Sequence, residues 1–178
     1  MPPKKSTSPP VTLPNVGLQY PAQYVVSMMA NRYSIMREDG FIIVNFGLLG
    51  ESGSLIDRTT CVLPQDTLEK QKENLVQYSE ALGQPKKKIP SWNPVGYRSG
   101  ELKDALGMPV VDVVHLCNWD DKHAEICFWN YSQGSLADLI RSNHSNTKNS
   151  TALVTWGVAL VRCSIDLQRD FLIKLYDE

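Results

Sequence analysis

The densest group of side chains that could do chemistry lies between residues 115 and 127 of this 178-residue chain. Transition metals favour imidazole and thiolate donors held close together, and this group supplies both kinds. Its members are His115, Cys117, Asp120, Asp121, His123 and Cys127. The group lacks the paired Cys-x-x-Cys or His-x-x-x-His spacing of structural zinc sites, which favours ordinary buried or rim positions. We therefore predict no metal and no other cofactor; if a metal were bound, the ligands would come from His115, Cys117, His123 and Cys127.

A shared site would depend on the turn between the two strands predicted here. His115 and Cys117 are two residues apart, so they share one face of a strand. A five-residue turn that places Cys117 opposite His123 would bring Cys127 to the same face, together with Glu125. A four-residue turn would move Cys127 to the opposite face. The sequence leaves both registers open.

Cations and aromatic rings are interleaved between residues 86 and 103. Single-stranded nucleic acids favour this combination, because cations neutralise phosphates and rings stack on bases. Five cations neutralise few phosphates, so nucleic-acid binding is the alternative function rather than the preferred one. The cations are Lys86, Lys87, Lys88, Arg98 and Lys103, beside the rings of Trp92 and Tyr97.

Tryptophans are the best candidates for partner contacts, because each offers a large apolar area with one polar group. Trp129 and Trp156 fall in predicted strands, which favours core positions. Trp119 lies in a predicted turn, and Trp92 lies in a proline-rich segment. We therefore predict partner contacts at Trp92, Tyr97 and Trp119.

The motifs of common catalytic sites are missing from the sequence. It contains no GxSxG or HExxH motif, and its glycines at 47, 50 and 53 are not followed by the Gly-Lys-Ser/Thr sequence that holds a nucleotide. We therefore predict that the protein is not an enzyme and has no catalytic residues.

The charge balance excludes some classes of protein. The chain has 18 Lys and Arg against 19 Asp and Glu, whereas nucleic-acid coats and acidic tails need one dominant sign of charge.

The longest apolar stretch, residues 152–161, is about half of the roughly 20 residues that a membrane helix needs. Residues 1–23 lack the apolar run of a secretory signal. We therefore expect a cytoplasmic protein with no membrane partner, or a virion protein if the chain is phage-encoded, and four unpaired cysteine thiols.

Apolar periodicity and turn residues predict an α+β fold. Residues 32–37 and 41–46 indicate a hairpin around an Asp-Gly turn, and residues 55–63 indicate a third strand. A helix follows, with Asp66 as its N-terminal cap and Gly83 as its C-terminal stop. The second half repeats this order, with strands at 110–117, 124–131 and 152–163 and a helix at 166–176.

The repeated order predicts two related lobes, each with an antiparallel sheet of three strands and one helix. The first lobe spans residues 24–83 and the second spans 109–178. A Pro/Lys-rich linker at 84–108 joins them. Residues 1–23 contain six prolines, which predicts a flexible arm.

One segment resembles a known family. Val44-Asn-Phe-Gly47 and residues 56–83 (IDRTTCVLPQDTLEKQKENLVQYSEALG) resemble a family of short bacterial proteins grouped as a domain of unknown function. In that family an extended pair ends in an Asp-Phe-Gly-like turn. A strand follows, and then a Ser/Thr-Pro-like helix start and a helix that closes in Asn-Leu-x-x-Tyr-x-x-x-x-Gly. The chain departs from this plan at Asn45 and at Leu63-Pro64, and nothing after residue 84 is covered. The resemblance implies a strand-and-helix module of bacterial or phage origin and supplies no site residue.

These observations together predict a non-enzymatic assembly or protein-interaction module. Such a structural or accessory protein would self-associate as a homo-oligomer or larger assembly, or would dock a partner. The proline-rich arm and unpaired strand edges would make the contacts, because edge amides are ready to pair with another chain.

Overall fold

The computed structural model describes residues 24–94, 110–131 and 155–177, with the backbone alone at 131, 155 and 156. The predicted arm at 1–23 and most of the predicted linker lie outside these residues. Apart from Tyr131, the last residue of one strand, the elements described below belong to one compact unit, residues 21–130 with 155–178.

The described residues form seven strands and two helices, which confirms the predicted α+β class. In chain order they are β1 (Tyr24–Met29), β2 (Arg32–Glu38), β3 (Phe41–Leu49), β4 (Leu55–Pro64), α1 (Gln65–Leu82), β5 (Val113–Asn118), β6 (His123–Tyr131), β7 (Thr155–Ser164) and α2 (Ile165–Tyr176). Neither helix in the described part of the chain is long and apolar enough to cross a membrane.

The first sheet has the order β2-β3-β4 and is antiparallel throughout. Its first turn has positive φ angles at Asp39 and Gly40, 47° and 82°, which confirms the predicted Asp-Gly turn. The predicted cap at Asp66 is wrong, because the cap position of α1 is Pro64 and makes no side-chain hydrogen bond. Gly83 ends the helix with a φ of 75°, as predicted.

The second sheet has the order β1-β7-β6-β5. β5 and β6 are antiparallel, but β1 pairs in parallel with β7, so the sheet is mixed rather than antiparallel as predicted. No pattern in the sequence predicted β1. A parallel pairing joins segments that are far apart in the chain, so no turn between the two strands indicates it in the sequence.

The two sheets and α2 share one core. The ring of Phe46 in β3 lies 5.7 Å from that of Phe128 in β6 and 5.2 Å from that of Phe171 in α2, measured between centroids. All three side chains are fully buried. Burial of such large rings dominates the energetics of a core, so this contact fixes β6 against β3.

Each helix begins beside the turn of the first hairpin in its half of the fold, β2–β3 for α1 and β5–β6 for α2. The backbone N–H of Gln65 donates to the carbonyl of Gly40, and that of Ile165 donates to the carbonyl of Lys122, both at 2.9 Å. These bonds satisfy amides that a helix leaves free at its start. Ser164 also caps α2, since its hydroxyl accepts from the N–H of Leu167 at 3.2 Å.

Candidate functional site

β5 and β6 have two different faces, because successive residues of a strand point to opposite sides of a sheet. One face belongs to the core and carries Val114, Leu116, Ala124, Ile126 and Phe128. The opposite face, called the outer face here, carries His115, Cys117, Glu125, Cys127 and Trp129. The chemically active side chains of this hairpin are thus on the outer face.

The register of the hairpin decides which outer-face residues meet. His115 lies opposite Cys127, and Cys117 lies opposite Glu125. Five residues separate the last paired positions, Asn118 and Ala124, as in one of the two predicted alternatives. Cys117, however, is not opposite His123 as that alternative supposed. Compared with that prediction, the turn lies one residue further along the chain, and Asn118 pairs with Ala124. A shift of one residue on both strands keeps Cys127 on the same face as His115 and Cys117.

Three of the four residues that the sequence offered as ligands, should a metal be bound, come together. The Sγ atom of Cys117 lies 3.6 Å from Nδ1 of His115, and the donor atoms of His115, Cys117 and Cys127 all lie within 4.8 Å of one another. Cys127 is buried, and the other two are half-buried. His123 is separate, because its exposed ring pairs with Asp120 at 2.8 Å from Nδ1 to Oδ2.

Burial sets the protonation of this cluster. It raises the pKa of the Cys127 thiol to about 12, raises the pKa of Cys117 and lowers the pKa of His115. In each case desolvation disfavours the charged form. Both thiols are therefore protonated and the imidazole is neutral near pH 7. Tyr24 in β1 lies close to Cys127, and burial raises the pKa of its hydroxyl, so a third strand borders the cluster.

A second feature of the outer face is built around Arg162 in β7. Its Nε donates to Oε1 of Glu125 at 3.0 Å, and its guanidinium carbon lies 5.8 Å from the ring centroid of Trp119. Trp119 is 67% exposed at the turn of the hairpin. Met29 in β1 is the register partner of Arg162 and is 63% exposed. We call Met29, Trp119 and Arg162 the Trp119 patch.

The predicted partner residues differ in their surroundings. Trp119 is exposed, whereas Trp92 is half-buried with its ring against β3. A Cβ atom added at Gly47 would lie 2.7 Å from that ring, so glycine is required there. Trp129 is buried, as predicted, although on the outer face and not in the main core. Tyr97 lies outside the described residues.

The predicted nucleic-acid residues are described in part. The side chains of Lys86, Lys87 and Lys88 are exposed, and the backbone N–H of Lys86 donates to Oδ1 of Asp166 at 2.7 Å. Arg98 and Lys103 lie outside the described residues. The nucleic-acid alternative therefore stays a prediction.

Arg162 and Met29 were not among the residues that the sequence predicted for the site. Arg162 stands in the otherwise apolar segment that became β7, and a lone charge in such a segment was the available signal. Its meeting with Trp119 depends on strands that are distant in the chain, so spacing alone did not reveal it.

Comparison with known proteins does not identify a family. No protein-family model, curated protein or solved structure matches this chain. The resemblance of residues 44–83 to a bacterial family of unknown function stays a prediction.

Proposed function

We propose that this protein is a non-enzymatic interaction module that self-associates through the Trp119 patch. The observation that supports this most directly is a tryptophan that is 67% exposed and whose ring lies beside an arginine guanidinium. Tryptophan, arginine and methionine are enriched in protein interfaces, and tryptophan and arginine often supply most of the binding energy. A ring that is already held in place loses little further freedom on binding.

A second copy of the chain is the partner that suits the charges around the patch. Asp120 and Asp121 lie next to Trp119 in the turn, and the side chains of Asp120 and Arg162 are 50% and 53% exposed. In a two-fold interface each patch meets itself, so acidic and basic groups of one copy can pair with those of the other. The net charge of -1 gives little repulsion between copies.

We also propose that the two halves of the fold arose by duplication. Strands β2 to β4 with α1, and strands β5 to β7 with α2, follow the same order. In both halves the first helical N–H donates to a carbonyl in the turn of that half's first hairpin, from Gln65 to Gly40 and from Ile165 to Lys122. A duplicated chain joins within itself surfaces that a homodimer joins between copies. β1 has no counterpart in the second half of the described chain.

The self-association proposal is tested by light scattering across a concentration series. We expect the mass of the wild type to rise above 20.0 kDa with concentration, and Trp119→Ala to stay monomeric. The matched control is Ile56→Ala, since Ile56 is 64% exposed on β4 and lies outside the patch. A wild type that is monomeric throughout would contradict the proposal. Equal weakening by Ile56→Ala would also contradict it, because the effect would not belong to the patch.

The same experiment separates the nucleic-acid alternative. Absorbance at 260 nm recorded across the protein peak detects bound nucleic acid, and binding through Lys86, Lys87 and Lys88 would fall steeply with salt. We expect a peak without nucleic acid. A peak whose absorbance at 260 nm is lost on adding salt would favour the alternative over self-association.

A further inference from the structure

His115, Cys117 and Cys127 form a feature of the outer face that the Trp119 patch does not use. The three side chains come from two paired strands, β5 and β6. His115 and Cys127 are direct partners in the register, and Cys117 is two residues beyond His115 on the same face. Their donor atoms lie within 4.8 Å of one another. We call these residues the thiol-imidazole cluster.

The spacing of the donor atoms suits a tetrahedral metal site. With Zn–S bonds of about 2.3 Å and Zn–N bonds of about 2.0 Å, a sulfur and a nitrogen ligand lie about 3.5 Å apart. The observed separation of Cys117 Sγ and His115 Nδ1 is 3.6 Å. Two zinc-bound sulfurs lie about 3.8 Å apart, a distance that small side-chain rotations reach from the 4.8 Å limit.

A disulfide is a poorer explanation for the approach of the two cysteines. Cys117 is opposite Glu125 and Cys127 is opposite His115, so the cysteines are diagonal to each other. Diagonal neighbours in an antiparallel ladder have Cα atoms about 7–8 Å apart, whereas disulfides need at most about 6.8 Å. Both thiols are free. A metal ion between the sulfurs would hold them without moving the strands closer.

We propose that His115, Cys117 and Cys127 bind one zinc ion. Thiolate and imidazole ligands select zinc over magnesium and calcium, which prefer oxygen ligands. Each thiol gives its proton to solvent as its sulfur binds the metal. Glu125 is held by Arg162, so the fourth position is left for water or another small ligand. Half-buried Cys117 and His115 give the ion its route from solvent.

The cluster offers well-matched variants for a test. His115→Gln removes a ligand, and His123→Gln removes an exposed histidine of the same hairpin that lies outside the cluster. Cys117→Ser removes a half-buried ligand, and Cys163→Ala changes a cysteine on the core face. Full-length protein stripped with a chelator is titrated with zinc against a coloured chelator. Circular dichroism of each variant checks that it is folded.

We expect one zinc ion per chain in the wild type, His123→Gln and Cys163→Ala. Removing a residue that only hydrogen-bonds to a metal ligand already weakens metal binding by about 10- to 100-fold. Removing a ligand itself, in His115→Gln or Cys117→Ser, should therefore weaken zinc binding by at least about 10-fold. The melting temperature of the wild type should rise with added zinc, because the ion binds only the folded hairpin. Trp119→Ala should bind zinc as the wild type does, which keeps this result separate from self-association.

The proposal is overturned if the stripped wild type takes up no stoichiometric zinc. It is also overturned if His115→Gln and His123→Gln bind equally, since the metal would then be elsewhere. Should Cys117→Ser fail to fold, cobalt decides the matter in the wild type. Cobalt bound by the cluster would show a thiolate-to-metal absorption band, and a cobalt complex without that band would exclude both cysteines.

Discussion

The two faces of the β5–β6 hairpin are buried in different ways. On the core face Ile126 and Phe128 are fully buried among apolar side chains, whose attraction has no preferred direction. On the outer face Glu125 and Cys127, counted as whole residues, are 8% and 4% exposed. Glu125 accepts a hydrogen bond from Arg162, and the Cys127 sulfur lies within 4.8 Å of the donor atoms of His115 and Cys117. Buried polar groups are stable only when they are paired. The core face therefore contributes mainly to stability, and the outer face carries the polar groups that we propose to bind a metal ion and a second copy of the chain.

The largest expected effect is on the core face. Phe128→Ala removes a ring that lies 5.7 Å from that of Phe46, and it should lower the free energy of unfolding by about 3–5 kcal/mol. Urea denaturation followed by circular dichroism measures this. A loss below about 1 kcal/mol would show that the two sheets are not joined through this contact.

An intermediate effect on the free energy of unfolding is expected at the ion pair of the outer face. The side chain of Glu125 is only 10% exposed, so Arg162→Ala leaves its carboxylate without a charged partner and should cost about 2 kcal/mol of unfolding free energy. Glu125→Gln should cost about 1 kcal/mol or less, because Arg162 is 53% exposed and water can solvate it. Urea denaturation of both variants checks this order. Equal costs would mean that burial of the carboxylate does not set the energy.

A small effect on stability is expected at Trp119, the exposed aromatic residue of the same hairpin. Trp119→Ala should lower the free energy of unfolding by about 1 kcal/mol or less, the size of an exposed contact between a cation and a ring. The contrast with Phe128→Ala separates the two faces, since only the Trp119 variant should lose self-association. The free energy of unfolding is measured at protein concentrations too low for self-association, so that the dimer does not contribute to it. A loss as large as that of Phe128→Ala would place Trp119 in the structural core.

The smallest expected effect is at the exposed turn. Hydrogen bonds from the His123 ring and from the backbone N–H groups of Lys122 and His123 lower the pKa of Asp120 from 3.8 to about 2. The folded pKa is below the unfolded one, so these bonds stabilise the turn above about pH 4 and are lost as the pH falls toward 2. His123→Ala should raise the pKa of Asp120 while leaving it below 3.8, since the backbone bonds remain. Carboxyl NMR titration measures it, and an unchanged pKa would contradict the role of the ring.

Local sequence signals were sufficient for most of the fold. Alternating apolar residues and an Asp-Gly turn predicted β2 and β3 within a few residues of their observed ends. The signals were insufficient where distant segments meet. β1 depends on its parallel partner β7, and the start of α1 uses the carbonyl of Gly40 in place of a side-chain cap at Asp66. Contacts of this kind form only when the chain folds, and the local sequence around either residue does not indicate them.

The candidate site was predictable only in part for the same reason. Strand periodicity showed that His115 and Cys117 share a face, but the hairpin register was needed to place Cys127 with them. Trp119 could be predicted because a turn exposes its residues. Arg162 could not be assigned to the site, since its approach to Trp119 requires the pairing of β7 with the hairpin.

The most direct test of the Trp119 patch is the NMR resonance of the Trp119 indole N–H, recorded at several protein concentrations. The chain has four tryptophans, and the spectrum of Trp119→Ala identifies the resonance that belongs to Trp119. Self-association through the patch predicts that this resonance shifts as the concentration rises while those of Trp92 and Trp129 stay in place. A Trp119 resonance that does not move while the native mass increases would contradict the proposed interface.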